Sequence, residues 1–110
     1  MDAKPEIPSY FGFDDVHAFK DYLGMVLCCA PDLFIEEEWL PPDQQMNLER
    51  AFEGLRYGFD LVEWEFDGAK AAPMRQLAGE ALVAYRKGDD RGGQAKLESA
   101  EKLLRRLRTQ

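Results

Sequence analysis

The chain has 110 residues, of which 45% are hydrophobic and 32% are charged, and its net charge is −7. This composition is too apolar for a disordered chain and too charged for a membrane protein. The first residues, MDAKPEIPSYFGF, lack the basic flank and apolar run of a signal peptide, and no stretch approaches the ~20 apolar residues of a membrane span. The sequence therefore predicts one soluble cytoplasmic domain over 1–110, with no membrane association.

The charge is distributed unevenly along the chain. Residues 1–67 hold 16 acidic and 4 basic residues, whereas residues 68–110 hold 5 acidic and 10 basic residues. Twelve of the 13 aromatic residues also lie in the first of these parts. The acidic half of the chain is therefore also its aromatic half.

The first predicted helix covers 14–30. Its apolar residues recur every three or four positions, an aspartate pair can cap its start, and Pro31 prevents its continuation. Residues 1–13 before it are expected to form an extended N-terminal arm. The segment 32–38 is too brief for periodicity to decide between a helix and an extended connector, and a short helix is favoured.

The strongest pattern predicts a long helix over 42–66, with Pro42 in its first turn. Gly54 and Gly58 lie four residues apart on it, and each lowers helix propensity by up to ~1 kcal/mol relative to Ala. They indicate either a close approach by another element or a mild bend. The apolar residues of this helix alternate steps of four and three, as expected for a buried seam: Leu48, Phe52, Leu55, Phe59, Val62 and Phe66.

Two more helices are predicted over 73–87 and 90–107. Pro73 suits the first turn of the former, and Gly88 suits a left-handed cap at its end. No stretch shows the alternation of a strand. The predicted fold is therefore all-α, a small bundle of about four main helices.

One segment, ALVAYRKGDDRGGQAKLESAEKLL, resembles a tetratricopeptide helix pair over about a quarter of the chain. Ala84 stands where that family usually has an aromatic residue, Arg105 replaces its closing proline, and the chain has no second copy of the motif. Such repeats need stacked neighbours for stability. An ordinary antiparallel helical hairpin is therefore expected. The spacing that carries the resemblance is that of Ala81, Gly88, Asp89, Gly93, Leu97 and Ala100.

The residues that could carry out catalysis are too far apart. His17 and Cys28 share a face of the first helix, but eleven residues at 1.5 Å per residue separate them by about 16 Å, and a base must lie within ~3 Å of its nucleophile. The adjacent Cys28 and Cys29 are expected to be small buried hydrophobes and not a redox pair. The sequence therefore predicts no catalytic residue and no enzyme.

Metal, cofactor and nucleic-acid binding are not expected either. The run Glu36–Glu38 lacks the alternating acids and central glycine of a calcium loop, and no histidine pair has metal-ligand spacing. There is no phosphate-binding glycine loop. The basic C-terminal segment KLLRRLRTQ is typical of a helix end, and the pI of about 4.7 disfavours attraction to a phosphate backbone.

The acids cluster with tryptophan twice, in EEEWLPPD and in EWEFD. An acidic field beside a large aromatic side chain is typical of a surface that steers and then anchors a basic protein. The alternative is that both tryptophans belong to the core and the acids form a solvated face. The predicted partner-binding residues are Glu36, Glu37, Glu38, Trp39, Asp43, Glu63, Trp64 and Asp67.

Two functional hypotheses follow from these features. The leading one is a small acidic inhibitor, such as the immunity protein of a bacterial toxin, that neutralises its partner by covering a basic cleft. The alternative is a structural or adaptor protein, or a homodimer, that uses a second apolar face of the helix 42–66, where Trp64 aligns with Tyr57 and Leu61. An enzyme with a carboxylate site is a third and weaker hypothesis.

Overall fold

The computed structural model describes residues 3–108. Over this range the chain has no strand, and the predicted all-α bundle is confirmed. None of the helices in the described range is long and apolar enough to cross a membrane. The helices are α1 (Val16–Cys29), α2 (Leu48–Glu65), α3 (Gly68–Arg86) and α4 (Asp90–Arg105), with short 3-10 helices at Ser9–Phe11 and Pro42–Gln44.

Each α-helix begins after a residue whose side chain caps it. Asp15, Asn47, Asp67 and Asp89 each accept a hydrogen bond from the backbone N–H three residues further on. Such a cap contributes about 1 kcal/mol because it satisfies a donor that has no partner within the helix. The caps therefore set where the four helices start.

Two helix starts differ from the prediction. α2 begins at Leu48 and not at residue 42, because Pro42–Gln44 forms a separate 3-10 helix and Asn47 caps the longer helix. α3 begins at Gly68, so that Pro73 lies inside the helix. The proline removes one helical hydrogen bond, but the earlier start gains the Asp67 cap and an additional turn.

The short helix favoured over 32–38 does not form. Residues 33–37 have no regular structure, and the side chains of Leu33 and Ile35 are 68% and 76% exposed. A helix here would hold three neighbouring carboxylates together. So short a helix is unstable in water without packing.

α2 packs against α1 and α3, and α4 in turn packs against α3 and α1. Of the predicted seam, Phe52, Leu55, Phe59 and Val62 are buried, and Leu48 and Phe66 at its two ends are partly buried. A Cβ atom at Gly58 would overlap the ring of the fully buried Phe19 on α1. Close packing of α1 against α2 therefore requires this glycine.

The N-terminal segment contributes to the core. Phe11 ends a 3-10 helix, and Gly12 follows it in the left-handed conformation at φ 78°. The side chains of Phe11 and Phe13 are both buried. The ring of Phe11 meets the edge of Tyr22 with 6.0 Å between centroids and lies 5.6 Å from Tyr57, so the segment covers one side of the α1–α2 pair.

α3 and α4 form the expected antiparallel hairpin. Gly88 is left-handed at φ 83°, and the backbone N–H of Asp89 donates to the carbonyl of Ala84 at 2.9 Å. This pattern is a Schellman cap. Across the hairpin, the ring of Tyr85 covers Gly93, where a Cβ atom would lie 2.8 Å from it.

The two cysteines were expected to be buried, and this expectation is wrong. Cys28 is exposed, and Cys29 is only partly buried. They lie at the last turn of α1, beyond Val26, which is the last fully buried residue of that helix. In this part of the chain Leu27 and Ala30 pack against the core, and Cys28 faces solvent.

Candidate protein-binding surface

Residues 36–43, which we call the acidic loop, lie between α1 and α2. The loop has almost no regular structure, and one side chain holds its shape. The carboxamide of Gln45 accepts a hydrogen bond from the N–H of Glu37 at 2.8 Å and donates to the carbonyls of Glu37 and Leu40 at 2.6 and 2.8 Å. Three hydrogen bonds to the backbone thus close the loop into a defined turn.

A second contact fixes the end of the acidic loop to α2. The guanidinium of Arg50, in the first turn of α2, donates to the carbonyl oxygen of Asp43. The same guanidinium donates to the hydroxyl of Tyr10 at 2.7 Å and lies 5.0 Å from the centre of the Tyr10 ring. The loop is therefore anchored both to the bundle and to the N-terminal segment.

Trp39 lies on the outside of the acidic loop and is not a core residue. Its side chain is 72% exposed, and its indole Nε1 donates to the carboxylate of Glu37 at 3.2 Å. Tryptophan is usually well buried, so a ring exposed to this extent is an unusual feature of a surface. The hydrogen bond to Glu37 restrains the direction in which the ring points.

The carboxylates around Trp39 have no basic partner among residues 3–108. Glu36, Glu37, Glu38 and Asp43 are all exposed, and none of them forms an ion pair. Four negative charges within eight residues repel one another. The acidic loop is therefore a concentrated negative surface that the chain itself does not neutralise.

Acids of α2, in contrast, have basic partners, because arginines of α3 form ion pairs with them. Arg75 pairs with Asp60 at 2.6 Å, and Arg86 pairs with Glu49 through two hydrogen bonds. The hydrogen bonds from Arg86 lower the pKa of Glu49. The basic half of the chain thus offsets part of the negative charge of α2, and the acidic loop keeps its charge.

The remaining predicted residues lie at the other end of α2. Glu63 is 3.6 Å from the guanidinium of Arg75, and Asp67 is occupied as the cap of α3. Trp64 is 44% exposed. The helix between Asn47 and Glu63 is about 24 Å long at 1.5 Å per residue. The structure therefore does not bring this group together with the acidic loop.

Sequence reasoning missed two residues that belong with the acidic loop. Leu33 and Ile35 lie just before it and are strongly exposed. The available signal was a run of large apolar residues without helical periodicity, between Pro31 and three acids. Exposed apolar side chains that cluster in one segment are typical of an interaction surface.

No protein-family model, no curated protein and no solved structure matches this chain significantly. Within residues 3–108, no three His, Cys, Asp or Glu side chains gather in a way that could hold a metal ion. The functional proposal below therefore depends on the geometry and charge of the surface.

Proposed function

We propose that the protein is a small acidic inhibitor that binds a basic cleft on another protein through the acidic loop, as an immunity protein covers a toxin. The observation that carries the proposal is the exposed ring of Trp39 beside four carboxylates without a basic partner in the described chain. Such a surface is complementary to a cleft that is positive at its rim and apolar within.

The ring and the charges would have different roles in binding. The carboxylates raise the rate of encounter with a basic partner, and this effect weakens as salt is added. Trp39 supplies buried contact. Covering its exposed surface would remove more than ~100 Å² from water, which corresponds to about 2.5–4.5 kcal/mol.

The fixed shape of the loop also supports the proposal. Ordering a flexible loop on binding reduces affinity because conformational freedom is lost. The hydrogen bonds of Gln45 and the Trp39–Glu37 hydrogen bond already restrain the loop in the free protein. Less freedom is therefore left to lose when the partner binds.

The test compares two charge-reversal variants with the same net charge. The first carries Glu36→Lys, Glu37→Lys and Glu38→Lys. The control carries Glu6→Lys, Asp21→Lys and Glu98→Lys, which change exposed acids without ion pairs elsewhere on the described chain.

All three proteins are immobilised, and the proteins retained from a native lysate are identified at low and high salt. We expect a basic protein to be retained by the wild type and by the control, to be lost from the loop variant, and to be released by salt. We also expect one equivalent of the wild type to suppress the activity of the retained protein. Equal retention by the loop variant, with its helical circular dichroism unchanged, would remove the proposal.

The adaptor or homodimer alternative depends on a second apolar face of α2. Leu61, which belongs to that face, is only 1% exposed, so the bundle already covers much of the face. Light scattering separates the two hypotheses. A monomer at high concentration agrees with an inhibitor that acts as a single domain, whereas a stable dimer that buries Trp64 would favour the alternative.

A further inference from the structure

A groove of about 510 Å³ lies between α2 and α3 and shares no residue with the acidic loop. Small-molecule sites usually have volumes of ~300–1,000 Å³ and apolar walls with a few polar groups. This groove has both properties. Its apolar lining consists of Phe52, Leu55 and Phe59 from α2, and Ala78, Gly79 and Leu82 from α3.

Gly79 lies in the wall of the groove. It lies in the middle of α3, where glycine is less favourable than alanine. A Cβ atom at Gly54 or Gly93 would overlap aromatic rings, but one at Gly79 would meet no atom within 4 Å. Packing within the described chain therefore does not require this glycine, and its missing side chain leaves open space beside the groove.

One positive charge at the rim of the groove has no partner. Arg75 pairs with Asp60 at 2.6 Å, and Glu53 lies 3.8 Å from the guanidinium of Arg50. Arg56 makes no hydrogen bond and no ion pair within residues 3–108. The rim therefore presents one guanidinium without a direct partner beside the apolar lining.

Glu49 supplies a further carboxylate near Arg56. The hydrogen bonds from Arg86 are the main cause that lowers the pKa of Glu49, and the charge of Arg56 lowers it to a smaller extent. Because Arg86 holds that carboxylate by two hydrogen bonds, Glu49 does not occupy the guanidinium of Arg56. The planar guanidinium remains available for a bidentate pair with a carboxylate from outside.

We propose that this groove binds a small organic anion with a flat apolar body. The body lies between α2 and α3 over the space left by Gly79, and the carboxylate of the ligand pairs with Arg56. A cationic ligand would place its charge beside Arg56, and the two carboxylates of the lining, Glu53 and Asp60, already face Arg50 and Arg75. A purely apolar ligand would leave the guanidinium of Arg56 without a partner. The proposal is independent of the protein-binding function of the acidic loop.

The probe is 2-naphthoate, titrated into the full-length protein while backbone amide resonances are followed by NMR. We expect the largest shifts at residues of the groove. A Kd on the order of 1 mM or tighter is expected from the usual affinity per non-hydrogen atom of a ligand of this size. The neutral analogue 2-naphthalenemethanol should bind more weakly.

Two variants test the two parts of the site. Gly79→Leu should fill the groove and weaken binding by at least ~10-fold while the midpoint of thermal unfolding is unchanged or raised, because leucine favours a helix. Val83→Leu, which enlarges an exposed side chain one turn away and outside the groove lining, is its control and should bind normally. Arg56→Gln should weaken the binding of 2-naphthoate by ~3- to 10-fold and leave the affinity for the neutral analogue unchanged.

Three results would overturn the proposal. The first is an absence of shifts in the groove residues of the wild type. The second is undiminished binding by Gly79→Leu. The third is equal affinity for the anion and its neutral analogue, since that would remove the role of Arg56.

Discussion

Gly54 and Gly79 provide a direct test of how the bundle is packed, because the same substitution should have opposite effects at the two positions. Both are glycines within helices, so replacement by alanine should improve helix propensity by up to ~1 kcal/mol at each. Their surroundings differ. A Cβ atom at Gly54 would lie 2.6 Å from Cζ of Tyr22 and 2.8 Å from Cδ1 of Phe11, and one at Gly79 would meet nothing within 4 Å.

The rings around Gly54 have little room to move. Tyr22 and Phe11 are both buried, and the hydroxyl of Tyr22 donates to the carbonyl of Ala51 at 2.9 Å. Overpacking of a filled core costs about 1–3 kcal/mol, and displacing the Tyr22 hydroxyl would remove a hydrogen bond worth about 1 kcal/mol. After the gain in propensity, Gly54→Ala should lower the free energy of unfolding by about 1–3 kcal/mol.

The assay is urea and thermal unfolding followed by circular dichroism, with Gly79→Ala as the matched control. For a domain of this size, 1 kcal/mol corresponds to about 4 °C in Tm. Gly54→Ala should therefore lower Tm by about 4–12 °C, and Gly79→Ala should raise it by about 2–4 °C. If Gly54→Ala were as stable as the wild type, α1 and α2 would not pack as closely as described.

Three further predictions concern single side chains. Tyr85→Phe should leave the free energy of unfolding unchanged or raise it, because the buried hydroxyl of Tyr85 has no hydrogen-bond partner in the described chain, whereas Tyr22→Phe should lower it by about 1 kcal/mol; urea titration of both variants compares them. Burial raises the pKa of Tyr22 above its ordinary value, and the charge of Glu53 raises it further. As the pH rises, the hydroxyl of Tyr22 therefore loses its proton in the unfolded chain before it does so in the folded protein. The free energy of unfolding should therefore fall above about pH 10, and it should fall less steeply in Tyr22→Phe than in the wild type. An equal dependence on pH in the two proteins would contradict this account. Asp89→Ala should cost about 1 kcal/mol through loss of the α4 cap, while Asp89→Asn should retain most of the stability in thermal unfolding.

The buried seams of the helices could be predicted from the sequence, but the first residues of the helices could be predicted less well. Burial follows the helical period, so the positions from Phe52 to Val62 could be assigned from spacing alone. The first residue of a helix could not be assigned from spacing, because a proline and a capping residue at different positions can each indicate a helix start. At α2 and α3 the caps Asn47 and Asp67 set the start, while Pro42 precedes α2 and Pro73 lies within α3.

The candidate surface was only partly predictable for a similar reason. Sequence reasoning placed eight acidic and aromatic residues together as partner-binding, but their separation depends on the length of α2 between the two groups. The shape of the acidic loop depends on Gln45, whose amide bonds to the backbone up to eight residues away. No local pattern marks such a contact. Whether either group binds a partner stays a prediction.

The proposed function is tested most directly by the affinity of the protein for the basic partner that it retains, measured by calorimetry across a range of salt concentrations. For the wild type we predict stoichiometric binding that weakens steadily as salt increases. For the variant with lysine at Glu36, Glu37 and Glu38, we predict a large loss of affinity, and for the matched control variant we predict little change. The same affinity and the same salt dependence in all three proteins would contradict the assignment of the acidic loop as the binding surface.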